Sequence, residues 1–311
     1  MPEGQAPSSA SRGPWAFGDR ARAWLALLRL PNLFTVPGDV VAGWFLAGGT
    51  CANPGRALLL GGASLCIYSA GLVLNDIADV KTDRRERPQR PIPSGRVSRG
   101  GALIATLLLL AGGLGLAGAA GMTSFCVAGG LVALVVFYDL GAKRVPVLGP
   151  IVMGSCRGAN VALGASTGVG AGAIILPVAL AASAEVAYVA SVTAIAAREV
   201  EGPPGAVLRW LPSAVIGAGM GLMLGFVWGG EMWVLAAAAL PVVAVLSASL
   251  RLRRDMDTQD VPRLVGSMIG ALVFLQAAFV VVASPSALVP ATAVLALWPL
   301  GLIARRYFHA S

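Results

Sequence analysis

The sequence predicts an all-α membrane protein with nine or ten transmembrane helices, bundled around a central cavity and capped by cytoplasmic loops. Of its 311 residues, 57% are hydrophobic and only 12% are charged, and the mean hydropathy is +0.78. A typical soluble domain has about a quarter of its residues charged. Apolar runs of about 20 residues, the length that crosses the hydrocarbon core of a bilayer, also recur along the chain.

Three regions follow from this pattern. Residues 1–29 are polar and lack the apolar core and cleavage site of a signal peptide, so we expect a tail in which residues 15–29 can form a surface helix. Residues 30–304 form one transmembrane domain, and residues 305–311 form a short basic tail. The predicted spans are 30–48, 57–75, 101–120, 122–139, 147–166, 172–196, 209–229, 232–250, 264–283 and 287–304. Pro290 and Pro299 interrupt the last of these, and whether it crosses fully is open.

The basic residues predict the orientation of the bundle. With the N-terminus in the cytoplasm, every Lys and Arg except Arg56 and Arg157 falls in a cytoplasmic segment, as the positive-inside rule expects. The net charge of +8 then indicates contact with anionic membrane lipid. We expect no nucleic-acid partner, because the basic residues are not interleaved with aromatic residues that would stack on bases.

A glycine repeat marks the seventh predicted span. Gly217, Gly221, Gly225 and Gly229 recur every fourth residue and therefore lie along one side of a helix. Small residues in this pattern let a second helix approach closely, so we expect a packing face here.

The end of the second span carries the motif N-D-x-x-D-x-x-x-D. On a helix, Asn75, Asp76, Asp79 and Asp83 lie on one side. Carboxylates this close repel one another unless a cation lies among them. Carboxylate and amide oxygens suit Mg²⁺, which commonly fills its remaining positions with substrate phosphates. The motif therefore indicates magnesium-dependent handling of a phosphorylated substrate.

The loop after this motif is strongly basic. It contains Lys81, Arg84, Arg85, Arg87, Arg90 and Arg96. Metal ions and arginines together can clamp a diphosphate. A purely topological role for this loop would leave the neighbouring carboxylates unexplained, because acidic residues contribute little to orientation.

Ionisable groups also lie within the predicted spans. Asp39, Arg157 and Glu185 occur at similar depths, and each costs roughly 3 kcal/mol on insertion scales if it faces lipid. An ion pair between Arg157 and Glu185 is therefore expected. These groups either fix helix packing or line a cavity for a second substrate, together with Asn32 and Asn160.

These motifs resemble a known family. Asn75 to Asp83, followed by R-P-I-P-S-G at residues 90–95, is similar to the first signature of the UbiA superfamily of intramembrane prenyltransferases. Tyr138 to Lys143 resembles the Y-x-x-x-x-K segment of that family. The resemblance covers nearly the whole chain from about Leu30, and the first signature is the specific part.

The second acidic signature departs from the family pattern, D-x-x-D-x-E-G-D. The chain retains Glu201 and Gly202, has Glu199 at an aspartate position, and has Ala196 and Pro203 at the outer aspartate positions. The second metal site that the resemblance implies is therefore reduced to Glu199 and Glu201. The run C-R-G-A-N at residues 156–160 is similar to a bacterial subgroup of the EboC type.

The resemblance implies magnesium-dependent transfer of a prenyl group from an isoprenoid diphosphate to an acceptor in the membrane. It implies that Asp76, Asp79 and Asp83 are catalytic. The implied metal ligands are Asn75, Asp76, Asp79, Asp83, Glu199 and Glu201. The implied diphosphate contacts are Arg90, Lys143, Arg144 and Arg198. The candidates for the acceptor and cavity side are Asn32, Asp39, Tyr138, Arg157, Asn160 and Glu185.

Two other functions fit the same sequence. The pocket can ionise the diphosphate and cyclise its chain as a terpene cyclase, or the scaffold can carry a lipid or metabolite without catalysis. The polar groups within the spans favour a hydroxyl-bearing acceptor. Donor length, the identity of the acceptor and the oligomeric state are not encoded in any motif.

Overall fold

The computed structural model describes residues 17–52, 54–167, 175–198, 205–252 and 260–307, and these residues form helices and connecting loops without β-strands. The helices are α1 (Phe17–Leu27), α2 (Leu30–Leu33), α3 (Pro37–Leu46), α4 (Gly55–Ala78), α5 (Val80–Glu86), α6 (Arg99–Ala120), α7 (Met122–Leu140), α8 (Leu148–Ala165), α9 (Ile175–Ala196), α10 (Ala206–Val227), α11 (Met232–Arg251), α12 (Val261–Ala283) and α13 (Leu288–Tyr307). A short 3-10 helix, Ala142–Arg144, lies between α7 and α8. The predicted all-α fold is confirmed.

In the described ranges, eight helices are long and apolar enough to cross a membrane: α4, α6, α7 and α9 to α13. A ninth span results if Ala21–Leu27 and Leu30–Leu46, which are bent by 51°, count together. The helix α8 has 18 residues, but Arg157 and Asn160 make it less apolar than these. Every predicted span from 57 to 304 has a helix in the structure. The helix α8 is less apolar than the eight candidate membrane spans because it carries polar side chains that face the interior of the bundle.

The first predicted span differs from a single helix. Its residues divide into α2 and α3, and each of these begins with a proline in its first turn, Pro31 and Pro37. Proline lacks the N–H that continues a helix but suits the first turn. The preceding helix α1 is packed rather than free, because Ala23 and Leu27 are buried against Ile77 and its neighbours. Residues 1–16 of the predicted tail lie outside the described part of the chain.

Consecutive helices of the bundle pack side by side, and α12 lies at its centre. The helix α12 contacts α3, α9, α11 and α13, and most of its length is buried, including Leu275 and Phe279. Short connections between neighbouring helices make them antiparallel. The ends of α4, α7 and α9 and the start of α12 therefore lie at one end of the bundle, where the acidic motif is found.

Close helix contacts occur at glycines other than the predicted ones. A Cβ atom at Gly154 of α8 would overlap the Val186 carbonyl of α9, and one at Gly164 would overlap the Val40 carbonyl of α3. By contrast, no described atom lies within 4 Å of a Cβ built at Gly217 or at the other three glycines of that repeat. The predicted packing face on the seventh span is therefore wrong for contacts within the chain, because spacing does not reveal which side of α10 faces the bundle.

Replacing Gly154 with Ala is expected to destabilise the protein by about 1–3 kcal/mol, because the α8 and α9 backbones must separate. The matched control is Gly217→Ala, which meets open space and replaces a poor helix former with a good one. Thermal unfolding in detergent measures both variants. Equal melting temperatures for the two variants would contradict the close contact.

Candidate functional site

Two of the aspartates in the acidic motif share one arginine. Arg90 Nη1 lies 2.9 Å from Asp83 Oδ2 and 3.5 Å from Asp76 Oδ1. All three side chains are nearly buried, with 6–7% exposed. A buried carboxylate is tolerated only when it is paired and hydrogen-bonded, so Arg90 holds the two aspartates together.

Arg29 provides a second cation for Asp76. Its Nη2 atom lies 3.2 Å from Asp76 Oδ1. Arg29 is the one described non-glycine residue with a positive φ, 43°, and it forms the bend between α1 and α2. This left-handed conformation is uncommon for a residue with a Cβ and is found where the surrounding structure enforces it. The bend directs the Arg29 side chain towards the acidic motif.

The remaining part of the motif surrounds Lys143. Its Nζ atom donates hydrogen bonds to Asn75 Oδ1 and Asp79 Oδ2, both at 2.7 Å, and lies 4.0 Å from Asp139 Oδ1. Lys143 belongs to the 3-10 helix that follows α7. This short element brings the lysine across to the end of α4.

The motif therefore divides between two cationic centres. Helix α4 ends at Ala78 with Asp79 as its C-cap, and backbone hydrogen bonds from Asp79 to Asn75 and from Asp83 to Asp79 continue the helical path into α5. Asp76 and Asp83 face Arg90, whereas Asn75 and Asp79 face Lys143. Like-charge repulsion is relieved by the cations placed between the carboxylates, so the predicted single acidic face is in fact two neighbouring ion-pair clusters.

The loop that carries Arg90 is anchored to the bundle. Ile92 and Val97 are buried in a small apolar cluster with Val73 and Val80. Gly95 has a φ of 77°, the left-handed region that glycine adopts without steric cost. This turn closes the loop and fixes Arg90 over the acidic motif.

A cavity of about 380 Å³ begins beside these clusters and extends into the bundle. Its polar end includes Arg29, Asn32, Asn75, Tyr138 and Asp139. Most of its wall is apolar, and is formed by Ile67, Leu72, Leu131, Val135, Val189, Val192, Ile269 and Leu272. The predicted central cavity is therefore present, with charged groups at one end and a mainly hydrocarbon-like interior.

A buried polar network lies beside the deeper part of the cavity. Arg157 Nη2 donates to Thr35 O at 2.6 Å and to Asp39 Oδ1 at 3.0 Å, and Asn160 Nδ2 donates to Asp39 Oδ2 at 2.9 Å. Gln276 Nε2 also donates to Asp39 Oδ1 and to Thr35 O. Arg157, Asn160 and Thr35 line the cavity, whereas Asp39 is fully buried behind them.

Arg157 forms two ion pairs, and the expected one with Glu185 is longer than the one with Asp39. Arg157 Nε lies 4.0 Å from Glu185 Oε2, at the limit of an ion pair, while Asp39 takes the closer contact. Glu185 is fully buried, and neither of its carboxylate oxygens has a hydrogen-bond partner among the described residues. Helix packing places Asp39, rather than Glu185, in front of the guanidinium.

Several predicted site residues are not brought into the clusters. Arg144 and Arg198 are exposed, and within the described ranges their side chains make no hydrogen bond or ion pair with the acidic motif. Glu199 and Glu201, the predicted second metal ligands, lie outside the described residues. Asn32 and Tyr138 line the cavity as expected.

Sequence reasoning missed three polar participants. Arg29 falls in the predicted tail, Asp139 is the last residue of a predicted span, and Gln276 is one polar residue in an apolar run. The signal for Gln276 was available, because an isolated amide in a 20-residue apolar run needs a buried partner. Arg29 could not be found, because its contact depends on the bend between α1 and α2.

The donor atoms fit Mg²⁺ in kind. Asn75 and Asp79 oxygens converge on one cationic nitrogen at 2.7 Å, so a cation is already accommodated at that point. Among the described residues, no three His, Cys, Asp or Glu side chains converge to hold a metal ion. Mg²⁺ is usually held through one or two carboxylates together with substrate phosphates and water, and the arrangement suits this mode.

Fold and site together define a multi-pass helical membrane protein with a charged cluster at the mouth of an apolar cavity. The chain belongs to the UbiA prenyltransferase family, whose model matches residues 39–264. This match confirms the predicted class, a membrane-embedded prenyltransferase.

Individual relatives agree with this assignment. A digeranylgeranylglyceryl phosphate synthase from Methanoculleus marisnigri is 30% identical over 195 residues, which cover 62% of this chain and 68% of the relative. An apo structure of a UbiA homologue from Aeropyrum pernix has a TM-score of 0.65 at 20% identity and covers 80% of this chain and 97% of its own. A UbiA homologue from Archaeoglobus fulgidus bound to DMAPP and Mg²⁺ has a TM-score of 0.55 at 16% identity and covers 81% and 98%. The two structures support the shared fold.

Proposed function

We propose that the protein transfers a prenyl group from an isoprenoid diphosphate to a hydroxyl group of an acceptor, with Mg²⁺ bound at the acidic motif. The observation that carries the proposal is the placement of two carboxylate–cation clusters at the mouth of an apolar cavity. The homologue from Archaeoglobus fulgidus is described with DMAPP and Mg²⁺, which supports the same donor class here.

Cations of the two clusters would bind the diphosphate by exchanging their carboxylate partners for diphosphate oxygens. Lys143 and Arg29 are only partly buried, with 11% and 24% of their side chains exposed, and both can turn from carboxylates to diphosphate oxygens. The oxygens of Asn75 and Asp79 then become free to hold Mg²⁺, with Asp76 and Asp83 nearby. Arg90 stays with these two aspartates and keeps them in place.

The chain's residues then separate the charges that form. Breaking the allylic C–O bond leaves negative charge on the diphosphate and positive charge on carbon. Bound Mg²⁺ would stabilise the leaving diphosphate as a Lewis acid, and Lys143 and Arg29 donate hydrogen bonds to it. The apolar wall, including Leu131 and Val135, excludes water that would capture the carbocation.

The polar network supplies the acceptor side. Ser64 Oγ, Arg157 Nε and Asn160 Oδ1 belong to residues that line the cavity, and within the described part of the chain these atoms are buried without hydrogen-bond partners. Buried polar atoms usually have partners, so we assign these positions to the hydroxyl-bearing end of the acceptor. Attack by the acceptor oxygen on the prenyl carbocation forms the new C–O bond, and the hydroxyl proton leaves with the pyrophosphate, whose bond to carbon has already broken. The name of the relative from Methanoculleus marisnigri, a digeranylgeranylglyceryl phosphate synthase, is consistent with an oxygen acceptor.

The orientation with the N-terminus and the active-site loops in the cytoplasm is part of this proposal. It is supported by the distribution of Lys and Arg. Labelling of single cysteines introduced at exposed loop positions in intact cells tests it.

Pyrophosphate release by the purified protein in lipid nanodiscs is expected to depend on Mg²⁺. EDTA should reduce release to the background rate, and added Mg²⁺ should restore it, while EDTA saturated with Mg²⁺ beforehand should have no effect. Prenyl diphosphates of several lengths are the donors, and glyceryl phosphate lipids and other hydroxyl-bearing lipids are the acceptors. The proposal fails if no donor gives magnesium-dependent release, and a cyclic product formed without acceptor would contradict the transfer step.

A further inference from the structure

A second cavity, of about 200 Å³, lies between α11, α12 and α13. It is separate from the clusters of the acidic motif, although Thr35 borders both cavities. Arg305 contributes its charged group, and Trp298, Phe274 and Leu302 contribute much of the apolar wall. The helix α13 that provides Arg305 and Trp298 follows the segment that matches the family.

A backbone carbonyl oxygen holds the Arg305 guanidinium. Its Nη2 atom donates to Gly266 O at 2.9 Å, and no carboxylate of the described residues forms an ion pair with it. The hydroxyls of Ser247 and Ser267 in the same cavity donate to backbone carbonyls of their own helices. A partly buried guanidinium with donors to spare is a site for an anion, since charge is costly to bury without a partner.

The surroundings of Arg305 indicate a lipid. Phe274 and Trp298 pack against each other with ring centroids 5.4 Å apart. Leu302 in the cavity wall, Leu250 on α11 and Ile303 on α13 expose large apolar surfaces where these helices would face the bilayer. Trp298, seven residues before Arg305 on α13, lines the same cavity, and its indole N–H donates no hydrogen bond to a described residue. Hydrocarbon walls of this kind suit the acyl chains of a lipid.

We propose that this cavity binds the anionic phosphate headgroup of a membrane lipid, held by the Arg305 guanidinium and the Trp298 N–H. By helix alternation, the site lies at the same end of the bundle as the acidic motif. The lipid would connect α13 to α11 and α12 and stabilise their packing.

Native mass spectrometry with phosphatidylglycerol tests the proposal, with zwitterionic phosphatidylcholine as the comparison lipid. The wild-type protein should retain one phosphatidylglycerol in preference to phosphatidylcholine. The variant Arg305→Gln should bind it roughly tenfold more weakly, as expected for loss of a charged hydrogen bond. The matched control is Arg263→Gln, which removes the same charge from an exposed residue of α12 and should leave this binding unchanged.

Two further measurements keep the test decisive. Trp298→Phe retains an aromatic ring beside Phe274 but removes the N–H, and should weaken binding severalfold even if Arg305→Gln does not fold. Inorganic phosphate in millimolar excess should not displace the lipid. The proposal is overturned if the variants at Arg305 and Trp298 bind phosphatidylglycerol like the wild type, or if phosphate alone replaces it.

Discussion

Replacing Asp79 with Ala is expected to lower the rate of pyrophosphate release by about 10²–10³-fold, the loss typical for removing one group that stabilises a transition state. Asp79 is the most accessible carboxylate of the motif, with 27% of its side chain exposed, and it forms an ion pair with Lys143. Steady-state release of pyrophosphate from a prenyl diphosphate donor measures the effect.

Comparison with Asp83 separates catalysis from stability. Asp83→Ala leaves the buried Arg90 with one fewer carboxylate, so it should lose both activity and several degrees of melting temperature. Asp79→Ala should lose activity with little change in melting temperature, because its partner Lys143 keeps Asn75 and can reach solvent. The control Asp260→Ala removes an exposed carboxylate paired with Arg263 and should change neither property. Retention of more than half of the wild-type rate by Asp79→Ala would refute its role.

The elements that could be predicted from sequence are those set by local pattern. Apolar length predicted the long helices α4 and α6 to α13, and the spacing of Asn75, Asp76, Asp79 and Asp83 located the charged site. The seven-residue helix α5 lies in the predicted basic loop and has no apolar run that could predict it. The bend before α3 could also have been inferred from Pro31 and Pro37, because each favours a new helix start. These features depend on residues close together in the chain.

The features that could not be predicted depend on which faces meet. Asp39 and Gln276 are 237 residues apart and yet share a hydrogen bond. The same limit applies to the glycines, since Gly154 and Gly217 are equivalent by spacing but only Gly154 meets a neighbouring backbone. The choice of Arg90 for one pair of aspartates and Lys143 for the other also arises from the fold of the loops, and helix periodicity gives no information about it.

The site combines accessible and buried ion pairs, and this difference determines which cations can serve the substrate. Arg29 has 24% of its side chain exposed, and the pair of Lys143 and Asp79 has 11% and 27% exposed. Arg90 and Arg157 are each 7% exposed, and their carboxylate partners are 6% and 0% exposed. Exchange of partners is inexpensive for an exposed pair but costly for a buried one. We therefore expect variants of Lys143 and Arg29 to affect donor binding, and variants of Arg157 to affect the fold first.

Replacing Arg157 with Met is expected to reduce the free energy of unfolding by about 3–5 kcal/mol, the usual cost of breaking a buried ion pair on one side. The variant leaves Asp39 enclosed without a cation, although Asn160 and Gln276 still donate to it. The fraction of protein that stays folded and monodisperse at increasing temperature measures the loss of stability. Arg263→Met, which breaks an exposed pair, is the control and should cost less than about 1 kcal/mol.

The double variant Arg157→Met with Asp39→Asn should recover much of the lost stability, because an amide at position 39 removes the uncompensated charge. Its oxygen can accept from Gln276, and its NH2 group can donate to Asn160 Oδ1 once the Asn160 amide turns, since that oxygen has no hydrogen-bond partner among the described residues. If the double variant is no more stable than Arg157→Met, the ion pair is not the source of the loss. Activity then distinguishes packing from acceptor binding. If Arg157 binds the acceptor, the folded double variant should keep its affinity for the prenyl diphosphate. Its KM for the acceptor should rise, because the guanidinium is missing from the cavity wall. An unchanged KM for the acceptor would restrict Arg157 and Asp39 to holding α3 against α8.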